Sequence, residues 1–186
     1  MNHQVTLERI AVSETVSVIY SDDDLIIIDD LKTLAGPVIS RFDCNSLTLV
    51  LEGRAQAKVG DWELEFCKNQ LLILPPNVTL TNLMCSPDFT FKTIFFTNRL
   101  LQSYLRDKIA LWNEMVYVRH SFLFDVDEQG MEYFQLSYAM LSKVIASDEL
   151  GEFKAELIHS MLRPNFLGLC IQMKVMTNDK SDVQPA

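Results

Sequence analysis

The chain has 186 residues, 48% of them apolar, and a formal net charge of -9. That is enough apolar material for the core of one domain, or of one domain with an appendage. The excess of acid repels phosphate backbones, so the chain by itself is a poor nucleic-acid binder. The start "MNHQVTLERIAVSE" shows no basic segment followed by an apolar one, and no apolar run approaches the roughly 20 residues that span a bilayer, so no membrane partner and a cytoplasmic location are expected.

The first hundred residues favour strands. "TVSVIY" (Thr15–Tyr20) alternates, and "LIIID" (Leu25–Asp29) is a short apolar run behind the acidic turn "SDDD". "SLTLVLEG" (Ser46–Gly53) and "AQAKVGDWELEF" (Ala55–Phe66) read as a strand and a hairpin, whose turn falls on Gly60-Asp61 because glycine accepts positive φ. "LLIL" (Leu71–Leu74), "TLTNLMC" (Thr79–Cys85) and "FTFKTIFF" (Phe89–Phe96) follow, separated by proline turns. Many short strands at close spacing predict a sandwich or barrel.

After Phe96 the pattern changes to helical. "TNRLLQSYLRDKI" (Thr97–Ile109) starts at a Thr or Asn cap, and "ALWNEMVYVRHSFLF" (Ala110–Phe124) reads as a loop with one short strand. Asp125 with Glu128 forms a capping-box pattern, followed by Phe134, Tyr138, Leu141 and Ile145 on one helical face. A second helix is expected from Asp148 to Arg163, with Pro164 kinking or breaking it. The polar tail "TNDKSDVQPA" has no periodicity and reads as a linker. The resulting division is a barrel with an N-terminal arm over 1–96, a helical segment over 97–176 and a linker over 177–186.

Chemistry-bearing motifs are scarce. Cys44, Cys67, Cys85 and Cys170 form no CxxC and no zinc-like spacing with His3, His120 or His159, so four free, buried thiols in a reducing compartment are expected. His120 and His159 are each followed by Ser, but sequence adjacency is no dyad, and there is no GxSxG elbow, P-loop or GxGxxG. His159 is expected to pack or hydrogen-bond within a helix.

The most informative stretch is "NQLLILPPNVTLTN", from Asn69 to Asn82. With Gly53 closing "LVLEG", the segment from Ile39 to Met84 resembles a cupin, a small double-stranded β-helix barrel. Counting back and forward from Pro75, the family's two motif glycines fall on Asn69 and Asn77, and asparagine is the non-glycine residue that best tolerates left-handed backbone. The family's metal ligands do not carry over. Its second-motif His falls on Leu80, its first-motif Glu on Ser46, and its paired histidines near Ile39 and Arg41. Zinc or iron needs about three converging imidazole or carboxylate ligands, so no metal and no cofactor is expected.

A narrower resemblance covers about 130 residues. "LLILPPN", a strand, "SPDF", then "FF" leading into a helix and two further helices, is similar to the N-terminal domain of AraC/XylS-type transcription regulators. The resemblance implies a mainly β cupin-type barrel followed by a helical dimerisation segment, a non-enzymatic effector sensor, and DNA contact through a separate helix-turn-helix domain. Leu80, Asn82, Met84, Phe91, Thr93 and Phe95 are then expected to face the interior. Asn82, Phe91 and Thr93 match effector-contacting positions, and Arg41 is added because it stands where a ligand His would be. The effector expected of so apolar an interior is small and amphipathic rather than a sugar. Trp62 is expected at the barrel mouth or as packing.

The second helix carries apolar residues on more than one side: Phe153, Leu157 and Met161, with Ile158 and Leu162. A homodimer through this helix, packed antiparallel with its own copy, is expected. Two other readings stay open: a free-standing metal-free cupin enzyme of the sugar epimerase or isomerase kind, and a purely structural dimerisation domain.

Overall fold

Eleven strands form among the described residues, and the computed structural model describes residues 4–6, 16–31 and 40–179. They are β1 (Gln4–Val5), β2 (Val16–Ser21), β3 (Leu25–Leu31), β4 (Ser40–Phe42), β5 (Asn45–Glu52), β6 (Arg54–Val59), β7 (Trp62–Cys67), β8 (Gln70–Leu74), β9 (Thr79–Cys85), β10 (Thr90–Phe96) and β11 (Leu123–Asp125). One sheet runs β1-β4-β9-β6-β7 and the other β11-β8-β5-β10-β3-β2. All pairings are antiparallel except β1 with β4. The strand pattern expected after Thr15 is present to within a residue or two at most ends. The short β1 and β4 have no sequence signal of their own.

Left-handed backbone holds the turns. Asn69 and Asn77 have φ of 65° and 67°, as their place at the two motif-glycine positions predicts. Gly60 opens the β6–β7 hairpin at φ 58°. Gly53 is more constrained: φ is 75°, and a Cβ built there would lie 2.6 Å from Ser86 Oγ and 2.8 Å from the Phe89 backbone. Only glycine fits where the "SPD" turn crosses behind it, and that turn is tied in by Ser86 N–H donating to Arg54 O (2.9 Å).

The helical elements are α1 (Asn98–Leu105), a 3-10 turn (Arg106–Lys108), α2 (Ile109–Asn113), a π-helical turn (Glu114–Val118), α3 (Glu128–Ala146) and α4 (Phe153–Asp179). Thr97 caps α1, its Oγ1 accepting from Leu100 N–H (3.1 Å). The stretch Ala110–Phe124, read from sequence as loop and strand, is mostly helical before β11. The cap of α3 is Asp127, which accepts from Gly130 N–H (2.8 Å), rather than Asp125, which ends β11 and takes a bond from Gln70 Nε2. Pro164 does not break the last helix: α4 runs through it, and Asn165 Nδ2 donates to Met161 O (3.0 Å) at the turn that the missing N–H weakens. The tail expected as a linker is helical at Thr177–Asp179, and the rest of it lies outside the described residues.

The chain divides into two compact units, residues 1–100 with 122–134, and residues 101–121 with 135–186. The first holds both sheets. In the second, Tyr104 and Phe166 pack edge to face (5.2 Å between centroids), and Ile158, Leu162, Leu169 and Met173 are buried along α4. None of the described helices is long and apolar enough to cross a membrane.

Candidate functional site

The barrel interior follows from strand register. Phe42 of β4 and Phe95 of β10 touch across the two sheets, with centroids 5.1 Å apart, so the face bearing Phe95 is the inner one. Phe95 pairs with Ser46 and Ile26, Thr93 with Thr48 and Ile28, and Phe91 with Val50, which carries the inner face across β3, β10 and β5. Ile26, Ile28 and Cys44 form a buried cluster against Val18, Phe42 and Phe95. On the opposite sheet Ala55, Ala57 and Val59 alternate inward along β6. A run of rings, Phe66 to Phe89 (6.2 Å) and Phe89 to Phe91 (5.3 Å), links the sheets at one end.

Into this apolar lining project three hydroxyls. Thr93 is buried and its Oγ1 donates to Leu47 O (3.0 Å). A hydroxyl has one proton, so the short contact between Thr93 and Thr48 is made with Thr48 as donor. Both protons are then spent, and what Thr48 offers the interior is acceptor lone pairs. Ser46, also buried, lies on the same face two residues along. Cys44 adds no nucleophile: burial, reinforced by Asp43, pushes its thiol up to about 12.

Of the expected site residues, Phe91 and Thr93 come together on the inner face. Asn82 and Arg41 do not. β9 carries a bulge: Thr81 pairs with Lys58 and Met84 with Gln56, leaving Asn82 and Leu83 opposite Ala57. Asn82 takes φ 55° with an exposed side chain, and the extra residue turns Met84 outward, where it is 61% exposed. Strict alternation from Leu80 fails for that reason. Arg41 is exposed because its neighbour Phe42 faces inward. Ile39 lies outside the described residues. Trp62 is 46% exposed and meets Phe122 edge-on (6.0 Å), a packing contact. The Thr48 partner of Thr93 was missed because a lone Thr in "SLTLVLEG" looks like ordinary strand composition. Its signal appears only once the register is known.

No three of the His, Cys, Asp and Glu side chains among the described residues stand close enough to hold a metal ion. All four cysteines are free, and Cys67 and Cys85, the last residues of β7 and β9, are exposed rather than buried. His159 accepts or shares a proton with Tyr104, Nδ1 to hydroxyl 2.6 Å, within the helical unit, as its packing reading implied. On α4, Ile158 and Leu162 are buried within the chain, whereas Phe153 and Leu157 are exposed and Met161 is half-buried. The five residues expected at one interface therefore belong to two opposite faces.

No protein-family model matches the chain, and no curated protein does. Solved structures do. Apo ToxT K231A from Vibrio cholerae is 11% identical with a TM-score of 0.50, the match covering 82% of this chain and 58% of that one. The cupin domain of Cnp3 from Schizosaccharomyces pombe is 11% identical (TM-score 0.37, 47% of this chain and 67% of that one), and KdgF from Halomonas sp. is 12% identical (TM-score 0.39, 47% and 84%). The fold is a cupin-type β-barrel with C-terminal helices.

Proposed function

We propose that the chain is the effector-sensing and dimerisation module of an AraC-type transcription regulator, with no metal and no chemistry of its own. The observation that carries this reading is the extent of the ToxT match, 82% of the chain, which takes in helices as well as barrel; ToxT is an AraC-family regulator. The order of sequence elements from "LLILPPN" to the helices supports the same family. The interior supports sensing rather than catalysis, since hydroxyls and rings line it and the nearby thiol is held protonated. Under this reading DNA is contacted through a separate helix-turn-helix domain, and the effector is a small amphipathic molecule that donates a hydrogen bond to Thr48 and stacks near Phe91.

Thermal melts in a panel of small aromatic and aliphatic alcohols, with arabinose as the polar control, test this. A ligand at about 100 times its Kd stabilises by about 2.7 kcal/mol, a rise of several degrees. At least one alcohol should give that rise, Thr93→Val should reduce it, and arabinose should not give it. If nothing in the panel shifts the melt, sensing is wrong and the chain is a structural body for dimerisation.

A further inference from the structure

Nothing in the residues from Asn98 to Val118 ends a helix. The stretch holds no glycine and no proline, yet it folds as α1, a 3-10 turn, α2 and a π-helical turn. The break lies at one residue. Arg106 stands at φ 50°, in left-handed backbone that a residue with a Cβ adopts only under strain. Leu105, Lys108, Ile109, Asn113 and Glu114 around it all keep right-handed helical torsions.

The buried side chains run through the break in phase. α1 buries Leu100, Leu101, Tyr104 and Leu105, and the pieces after the 3-10 turn bury Trp112, Met115 and Val116. At about 100° per residue, one unbroken helix from Asn98 to Val118 would gather all of them within an arc of about 160°. Lys108 would fall at the centre of that arc. Its neighbours one turn away would be Tyr104, Leu105 and Trp112, all buried, and the half-buried Leu111. In the bent form Lys108 is instead exposed, and its ammonium pairs with the Asp107 carboxylate. One left-handed residue costs little beside an ammonium pressed into an apolar stripe, so the chain bends.

We infer that residues 98–118 are a two-state joint, bent at Arg106 while Lys108 carries its charge and straight once that charge is gone. Rotation at Arg106 separates the states, and the charge on Lys108 selects between them. Any event that neutralises Lys108 swings the segment from Ile109 to Val118 about Arg106. The joint is independent of what the barrel binds.

A double-mutant cycle on the full chain tests this by a change of sign. Arg106→Gly relieves the strain of the bent form, so in the otherwise wild-type chain it should lower the unfolding equilibrium constant about threefold. Lys108→Met keeps the reach of the side chain and removes its charge. In that background residue 106 is helical, where glycine is unfavourable, and Arg106→Gly should raise the constant about fivefold. Urea denaturation measures both backgrounds, with Lys108→Arg as the control that keeps the charge and the wild-type sign. Proton NMR reads the backbone of the same chains. Contacts from the Hα of Tyr104 to the amide of residue 107, and from the Hα of Leu105 to the amide of residue 108, belong to a continuous helix and should appear only with Lys108→Met. The same sign of Arg106→Gly in both backgrounds, with those contacts missing from both, shows that packing and not Lys108 holds the bend, and overturns the joint. Contacts already present in wild type overturn it because there is then no bend. A Lys108→Met chain that does not fold overturns it because the fold then admits only the bent form.

Discussion

The two sheets of the barrel solve burial in different ways. In the five-stranded sheet β6 alternates, with Ala55, Ala57 and Val59 buried and Arg54, Gln56 and Lys58 turned out. In the six-stranded sheet Leu25 to Ile28 of β3 are all buried, and β5 and β8 bury neighbours on both faces. A strand with one wet face advertises its orientation by period two, whereas a strand covered on both sides reads as a plain apolar run. The difference teaches where sequence periodicity carries information about a site. It tells inside from outside only on the sheet that contributes least to the polar lining, because Thr93, Thr48 and Ser46 all come from the other one.

The largest expected effect tests this asymmetry directly. Phe96→Ala empties a fully buried position in the six-stranded sheet and should cost about 4 kcal/mol, against about 1 kcal/mol for Trp62→Ala at the edge of the five-stranded one. Urea denaturation of both variants measures it, and equal losses would remove the contrast. The turns sharpen the same comparison. Gly53→Ala puts a Cβ into the Phe89 backbone at φ 75° and should cost about 3 kcal/mol, whereas Gly60→Ala meets nothing within 4 Å and should cost about 1 kcal/mol for its φ alone.

A smaller effect comes from the loop that precedes β3. Burial tends to raise the Asp24 carboxyl, but bonds from Arg99 and Thr97 outweigh it and hold the group below the usual carboxylate range. A carboxyl depressed by folding stabilises above its unfolded pKa and loses that contribution as pH falls through its folded value. Asp24→Asn should therefore flatten the acid limb of the stability curve and leave its slope near neutrality unchanged; an unaltered acid limb would show that the pair is silent. The smallest effect is Lys58→Ala on the wet face of β6, expected within about 0.5 kcal/mol in the same urea series.

Much of the fold was legible before any coordinates. The succession of strands along the chain follows from apolar runs punctuated by turns, and the hairpin at Gly60 and the left-handed turns at Asn69 and Asn77 follow from local steric rules. The site was legible only in part. Phe91 and Thr93 face inward because β10 is regular past its first residue, but Asn82 sits in a bulge, and one inserted residue reverses every later side chain on that strand. Nothing in "TLTNLMC" marks the insertion except that Asn tolerates it. Helix α4 runs past its expected end at Arg163 for a related reason. A proline weakens a turn locally, and whether the helix continues depends on what the other residues bury. Here Ile158, Leu162, Phe166 and Met173 fall on one face either side of it, so continuation keeps a single apolar stripe in the core.

The placement of the thiols has a kinetic consequence. Alkylating reagents attack thiolates that they can reach. Cys67 and Cys85 are accessible in the folded chain, while Cys44 is shut inside the first unit and Cys170 inside the second, its own thiol raised by burial against a lesser opposing pull from Lys108. Once the accessible pair has reacted, each remaining cysteine is labelled only as fast as its surroundings open. The chain thus carries one internal clock for breathing of the barrel and another for breathing of the helices, and a single mass-spectrometric time course reads both in the same tube.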